Sequence, residues 1–177
     1  MSGIGKKELR RLVRERISAM TQEEKTACSE ALCRSIKSHL AVCGARVVAL
    51  FSPLPDEPQI WSLVEELAKS MLVALPRVEG DVMRFYCMGE MKQGAFGIME
   101  PQGAICIDPG EIDAIVVPGV AFTLSGKRMG RGKGFYDKYM SHPAFRALKI
   151  GICYPPQLVD ELPCEGHDVV MDCVLIK

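Results

Sequence analysis

Ile115-Val-Val-Pro-Gly-Val-Ala-Phe-Thr-Leu-Ser-Gly-Lys-Arg-Met-Gly-Arg-Gly-Lys-Gly-Phe-Tyr-Asp137 begins as an apolar run and ends as a loop crowded with glycine and positive charge. The run belongs to residues 112–117, and residues 47–51, 71–75, 148–153 and 174–176 repeat its character. These runs are continuous rather than alternating. Each therefore reads as a strand buried on both faces, the habit of a parallel sheet with helices on either side. Residues 60–70 predict a crossover helix between the first two runs. Residues 76–111, rich in Gly, Met and Pro, predict a short meander with irregular loops. The expected fold is a three-layer α/β/α, Rossmann-like domain with a mostly parallel sheet, one domain over residues 1–177.

Toward the N-terminus the period changes. Leu9, Leu12, Val13, Ile17 and Met20 recur at three- and four-residue spacing with Lys and Arg between them, which predicts an amphipathic helix. Thr21 and Glu24 match a capping box that opens a second helix, with Leu32, Ile36 and Leu40 on one face and Gly44 as its stop.

A chain of 177 residues with 48% apolar and 25% charged side chains has the composition of a folded globular domain, which excludes disordered and fibrous classes. No apolar run approaches the roughly 20 residues that span a bilayer, so no membrane partner is expected. The N-terminus carries no signal-like apolar segment, and the expected location is cytoplasmic. The eight cysteines include no Cys-x-x-Cys pair and read as reduced, structural thiols. Twenty-two basic side chains balance twenty-two acidic ones, and aromatics are only 6%, so neither a basic surface nor a stacking platform for nucleic acid is present.

The balance hides an uneven distribution. Residues 1–50 carry a surplus of five positive charges and residues 114–149 a surplus of six, while 51–113 and 150–177 are acidic. Two basic segments far apart in sequence are placed to converge on one anion. The second contains Gly119, Gly126, Gly130, Gly132 and Gly134 interleaved with Lys127, Arg128, Arg131 and Lys133. Glycines let backbone N–H groups approach an anion closely, and the cations add charge-assisted bonds. A helix starting near Gly134 would add further donors. This is the chemistry of a phosphate cradle after a strand, although neither the P-loop nor the dinucleotide spacing is met. The Ser/Thr that a P-loop gives to Mg²⁺ is missing, and Asp137 is the nearest oxygen donor.

Gly130-Arg-Gly-Lys-Gly-Phe-Tyr-Asp137, following Val117-Pro-Gly-Val-Ala-Phe122, resembles the signature of the 5-formyltetrahydrofolate cyclo-ligase family. Lys6-Lys-Glu-Leu-Arg10, Phe51-Ser-Pro-Leu-Pro-Asp-Glu57, Leu75-Pro-Arg77 and Glu165-Gly-His-Asp168 followed by Asp172 resemble its other segments, in its order. Phe96-Gly-Ile-Met-Glu-Pro101 fits a further region, with Phe96 where a Tyr or Trp is usual. The resemblance implies ATP-dependent closure of 5-formyltetrahydrofolate, with or without a polyglutamate tail, to 5,10-methenyltetrahydrofolate, with Mg²⁺. It implies Lys6, Arg10, Arg128 and the stretch Gly130, Arg131, Gly132, Lys133, Gly134, Phe135 and Tyr136 at ATP. Arg131 and Lys133 act there on the transferring phosphoryl group. It further implies Ser52, Glu57, Phe96 and Tyr136 at the folate, Asp137 and Asp168 at the metal, and His167 as an orienting neighbour. A monomer is expected. A small-molecule kinase would need a carboxylate against an acceptor hydroxyl, and none stands out. A non-catalytic folate- or nucleotide-binding protein stays open as an alternative, because a polyglutamate tail would also suit the basic loop, but intact Lys133 and Asp137 argue against it.

Overall fold

Ten strands and four helices make up the computed structural model, which describes residues 5–94, 97–103, 105–163, 165–166 and 168–177. The main sheet holds β1 (Val47–Ala49), β2 (Leu72–Glu79), β3 (Val82–Cys87), β6 (Ala114–Val117), β9 (Leu148–Cys153) and β10 (Cys173–Ile176) in the order β10-β9-β6-β1-β2-β3. All neighbours are parallel except β3, which returns antiparallel on β2 as an edge strand. Two small hairpins complete the set, β4 (Met91–Gln93) with β5 (Met99–Pro101), and β7 (Ala121–Phe122) with β8 (Arg128–Met129).

The continuous apolar runs supply both faces of this sheet. Val48, Leu50, Val73, Leu75, Val116, Ile150 and Ile152 pack beneath α2 (Gln22–Cys43) and α3 (Trp61–Leu67). Their alternating partners Ala49, Ala74, Ile115, Val117 and Cys153 face Phe122, Tyr139, Met140 and Phe145. That second layer is thin, because α4 (Phe135–Met140) has only six residues and loops cover the rest. The expected three-layer, mostly parallel arrangement is the one found. No helix among the described residues is long and apolar enough to cross a membrane.

The local signals behave as their chemistry requires. Thr21 and Glu24 form a reciprocal capping box, and Gly44 closes α2 at φ 65°. Two expectations are corrected. The crossover helix is shorter than residues 60–70, and β2 extends through Pro76 to Glu79 instead of ending before a meander. Beyond Ala74 β2 is no longer paired to β1 and has β3 as its ladder partner among the described residues, the setting in which a strand tolerates proline.

α1 (Lys6–Ser18) leaves the sheet faces altogether. Val13 and Ile17 pack on Val120, Met129, Tyr154 and Leu162, which lays the basic helix across the loops that follow the strands.

Candidate active site

Strand order reverses at β1. The chain passes from β1 to β2 on one side, then returns to lay β6 on the other. In a doubly wound sheet the crevice beyond the carboxyl ends of such a strand pair is where ligands bind. The segments entering that crevice are the loop after β1 and the glycine-rich loop after β6. They enclose a cavity of about 410 Å³ lined by Phe51, Ser52 and Glu57 from the first and by Gly130, Lys133 and Tyr136 from the second. Pro76, Val78 and Met83 add an apolar wall from β2 and β3.

The loop after β1 is held by its own acid. Glu57 is 5% exposed, and its Oε2 accepts the Leu54 N–H at 3.0 Å. Its Oε1 accepts Arg131 Nε at 3.1 Å and Nη2 at 3.0 Å, across 74 residues of sequence. Asp56 bonds the same guanidinium. Burial pushes the Glu57 carboxyl above the usual carboxylate range, opposed by the Leu54 N–H and Arg131. Ser52 donates its hydroxyl to the Met99 carbonyl, tying β1's loop to β5.

In the glycine-rich loop, Gly132 at φ 105° and Gly134 at φ 67° turn the chain through conformations that side chains disfavour. Arg10 reaches over from α1 and donates from Nε to the Gly130 carbonyl at 2.9 Å. The two basic segments therefore do converge. Lys133 is exposed and forms no ion pair with a described residue. Lys6 pairs with Glu165 at 2.9 Å and Asp168 at 3.5 Å, and the Glu165 hydrogen bond leads in holding its ammonium above its ordinary value.

Arg128, expected at the phosphates, lines the cavity and is engaged within the protein. It is buried, with Nη2 2.8 Å from Asp137 Oδ2 and Nη1 3.3 Å from the Pro118 carbonyl, and its guanidinium stands 5.6 Å from the centre of the Tyr136 ring. A buried guanidinium needs such a counter-charge. Its Nε has no hydrogen-bond partner among the described residues. Burial raises the Tyr136 phenol well above its ordinary value, with the Glu57 charge adding to it. Asp137 Oδ1 accepts the Val169 N–H at 3.2 Å, which brings it beside the residue that follows Asp168. Two carboxylates next to a phosphate-type loop form the hard-oxygen donor set that Mg²⁺ takes when phosphates complete its shell. Arg128 and Lys6 now neutralise them, and a metal would compete with these cations. Phe96 and His167 lie outside the described residues.

A turn that sequence reasoning missed supports both loops from behind. The Tyr154 hydroxyl lies 3.1 Å from Ser29 Oγ on α2 and donates to the Glu57 carbonyl at 3.2 Å. Gln157, 1% exposed, donates to the carbonyls of Gly119 at 2.7 Å and Val120 at 3.3 Å, and accepts the Tyr154 N–H at 2.8 Å. The adjacent prolines in Tyr154-Pro-Pro-Gln157 signal a turn but not these partners. Glu100, which the sequence marks only as part of the stretch Phe96–Pro101, is a further buried acid at the cavity.

The model of the 5-formyltetrahydrofolate cyclo-ligase family matches residues 3–177. The chain is 34% identical to the 5-formyltetrahydrofolate cyclo-ligase of Mycolicibacterium smegmatis over 188 residues, covering 99% of this chain and 95% of that one. It is 25% identical to the mouse enzyme of the same name over 189 residues, covering 97% and 93%. The solution structure of Aquifex aeolicus 5,10-methenyltetrahydrofolate synthetase superimposes with a TM-score of 0.87 at 34% identity, covering 97% of this chain and 89% of that one.

Proposed function

The chain belongs to the 5-formyltetrahydrofolate cyclo-ligase family, and from that premise we propose that its single domain uses ATP to close 5-formyltetrahydrofolate to 5,10-methenyltetrahydrofolate, releasing ADP and phosphate. One observation carries this reading. The acidic loop after β1 and the cationic glycine-rich loop after β6 face each other across one cavity, linked by Glu57 and Arg131.

The formyl oxygen is a poor leaving group, so the reaction first transfers the γ-phosphoryl group of ATP to that oxygen. The folate N10 then attacks the formyl carbon, the carbon–oxygen bond breaks with departure of phosphate, and N10 gives up its proton. Such a sequence asks the protein for positioning and charge rather than a covalent nucleophile. Lys133 supplies a positive charge at the cavity that no described acid pairs with, suited to the phosphoryl oxygens as charge accumulates on them. Arg131 joins it by exchanging its carboxylate partners for phosphate, which leaves Glu57 to face the pterin. Backbone N–H groups from Gly130 to Gly134 suit the phosphate oxygens. Lys6 and Arg10 place α1 over the nucleotide, and Tyr136 forms part of the wall. Asp137 and Asp168 are the groups that would hold Mg²⁺, which supplies charge neutralisation at the phosphates when bound. Arg128 positions Asp137 and Tyr136 from below. The seven described cysteines are free thiols, which supports a reducing compartment and hence the cytoplasm.

The deciding experiment is the absorbance assay for methenyltetrahydrofolate, run with and without ATP and Mg²⁺. Product only in their joint presence is expected. Turnover without nucleotide, or ATP binding with no folate dependence, would overturn the reading and leave a binding protein or a kinase.

A further inference from the structure

Glu100 is 7% exposed, lies in the short strand β5, and lines the same cavity as Glu57 and Lys133. No cation pairs with it among the described residues. Among the described residues its carboxylate accepts one hydrogen bond, a long one from the Val78 N–H to Oε1 at 3.3 Å. Burying a carboxylate without a counter-charge or a full set of donors is costly, and proteins rarely tolerate it without a purpose. The other acids of the cavity are engaged. Glu57 serves Arg131 and the Leu54 N–H, and Asp137 serves Arg128 and the Val169 N–H. Glu100 is thus the carboxylate of this cavity with acceptor capacity to spare.

The chain also keeps room for it. A Cβ on Gly94 would stand 2.0 Å from Glu100 Oε2, so the carboxylate rests against a glycine that any side chain would force it to leave. Ser52 further fixes β5 by its bond to the Met99 carbonyl, next in the chain.

We propose that Glu100 is a second folate-binding carboxylate, accepting N–H donors of the reduced pterin from the β5 side of the cavity. This rests on the folate reading of the site. A pterin presents an amino group and ring N–H groups along one edge, and a carboxylate takes two of them side by side. The surrounding Pro76, Val78 and Met83 give the ring an apolar bed, which strengthens a charge-assisted bond by excluding water.

The test measures 5-formyltetrahydrofolate affinity by calorimetry and, in parallel, KM for folate and for ATP. Glu100→Leu should weaken folate binding about 10- to 100-fold, the scale of a lost bond to a charged group. KM for ATP should stay unchanged. Glu100→Gln keeps an acceptor oxygen and should lie between the two. Gly94→Ala, which displaces the carboxylate but leaves its charge, should raise the folate KM in the same direction. Unaltered folate affinity in folded Glu100→Leu, or equal losses for folate and ATP, would overturn the assignment. Should Glu100→Leu fail to fold, Glu100→Gln and Gly94→Ala decide. Binding is read without turnover, so a wild type that binds the folate but makes no methenyl product would sink the proposed reaction while still testing Glu100.

Discussion

The two edges of the main sheet use acidic side chains in opposite ways. At the amino edge, Asp113 precedes β6 and its Oδ2 accepts the N–H groups of Arg46 and Val47, both at 2.8 Å, where β1 begins. Asp172 precedes β10 and accepts the Lys149 N–H at 2.7 Å, beside the start of β9. Each aspartate caps the neighbouring strand and satisfies backbone donors that the ladder leaves over. At the carboxyl edge, Glu57, Glu100 and Asp137 surround a cavity, and two of the three face guanidinium groups. The first set belongs to the architecture. On the proposed reading the second set answers to a ligand, Glu57 and Asp137 through their guanidinium partners and Glu100 through having no cation beside it among the described residues. Position along a parallel strand thus separates stability from chemistry, and substitutions at the two edges should fail in different measurements.

Asp137 is the place to break that division, because it carries the largest expected stability effect although it lies at the carboxyl edge. Its side chain is 13% exposed and that of Arg128 only 4%, so solvent does little to screen the pair. Asp137→Ala leaves a buried guanidinium without its charge and should destabilise the fold by about 3 kcal/mol. Chemical denaturation reads this directly. A loss below about 1 kcal/mol would mean that Arg128 finds water or another carboxylate, as exposed pairs do. Asp137→Asn tests the proposed metal-binding role of the residue. Its Mg²⁺ titration should shift to higher concentration, and superposition on the wild type would remove Asp137 as a metal ligand.

Lys133 sharpens the comparison from the opposite side. It is exposed and pairs with no acid among the described residues, so Lys133→Ala should leave the melting temperature unchanged. Turnover should nevertheless fall on the order of 10²-fold or more, as when one preorganised electrostatic group is removed. Lys133→Arg should restore only part, because a planar fork does not replace a point charge. A fall in melting temperature matching the fall in rate would show that the loop's structure, not its charge, had been removed.

Much of this division is legible in the amino-acid sequence. The parallel sheet was legible because successive residues such as Val48 and Ala49, Val73 and Ala74, and Ile115 and Val116 enter the two opposite cores, and burial on both faces gives an unbroken apolar run. The glycine-rich loop was legible because five glycines and four cations in one span have few structural uses. What escaped is long-range pairing. Nothing local says that Arg131 meets Glu57 or that Tyr154 bonds the Glu57 carbonyl, 97 positions away. Glu100 escaped because an acid in a Met-Glu-Pro stretch reads as exposed until the fold closes over it. Asp113 escaped for a related reason, since an acid at the start of an apolar run looks like a solvated boundary.

Asp113 carries the smallest expected effect and the cleanest pH signature. Its two backbone bonds hold the carboxyl below the usual aspartate range, the Val47 N–H first and the Arg46 N–H second. A depressed folded-state value means that the unfolded chain binds the proton more readily, so the group stabilises the fold once it is ionised. That contribution is fully present above the ordinary aspartate value and is lost as pH falls through the lowered one. The side chain is exposed, and solvent limits the contribution to about 1 kcal/mol. Asp113→Ala should therefore lower stability by about that amount at neutral pH, and the gap to wild type should close in acid. KM for folate and for ATP should stay at wild-type values, because the residue sits at the far edge from the cavity. A folate or ATP KM that moves with Asp113→Ala would erase the distinction between the two edges, since a defect in strand capping would then have travelled the length of β1 to reach Glu57.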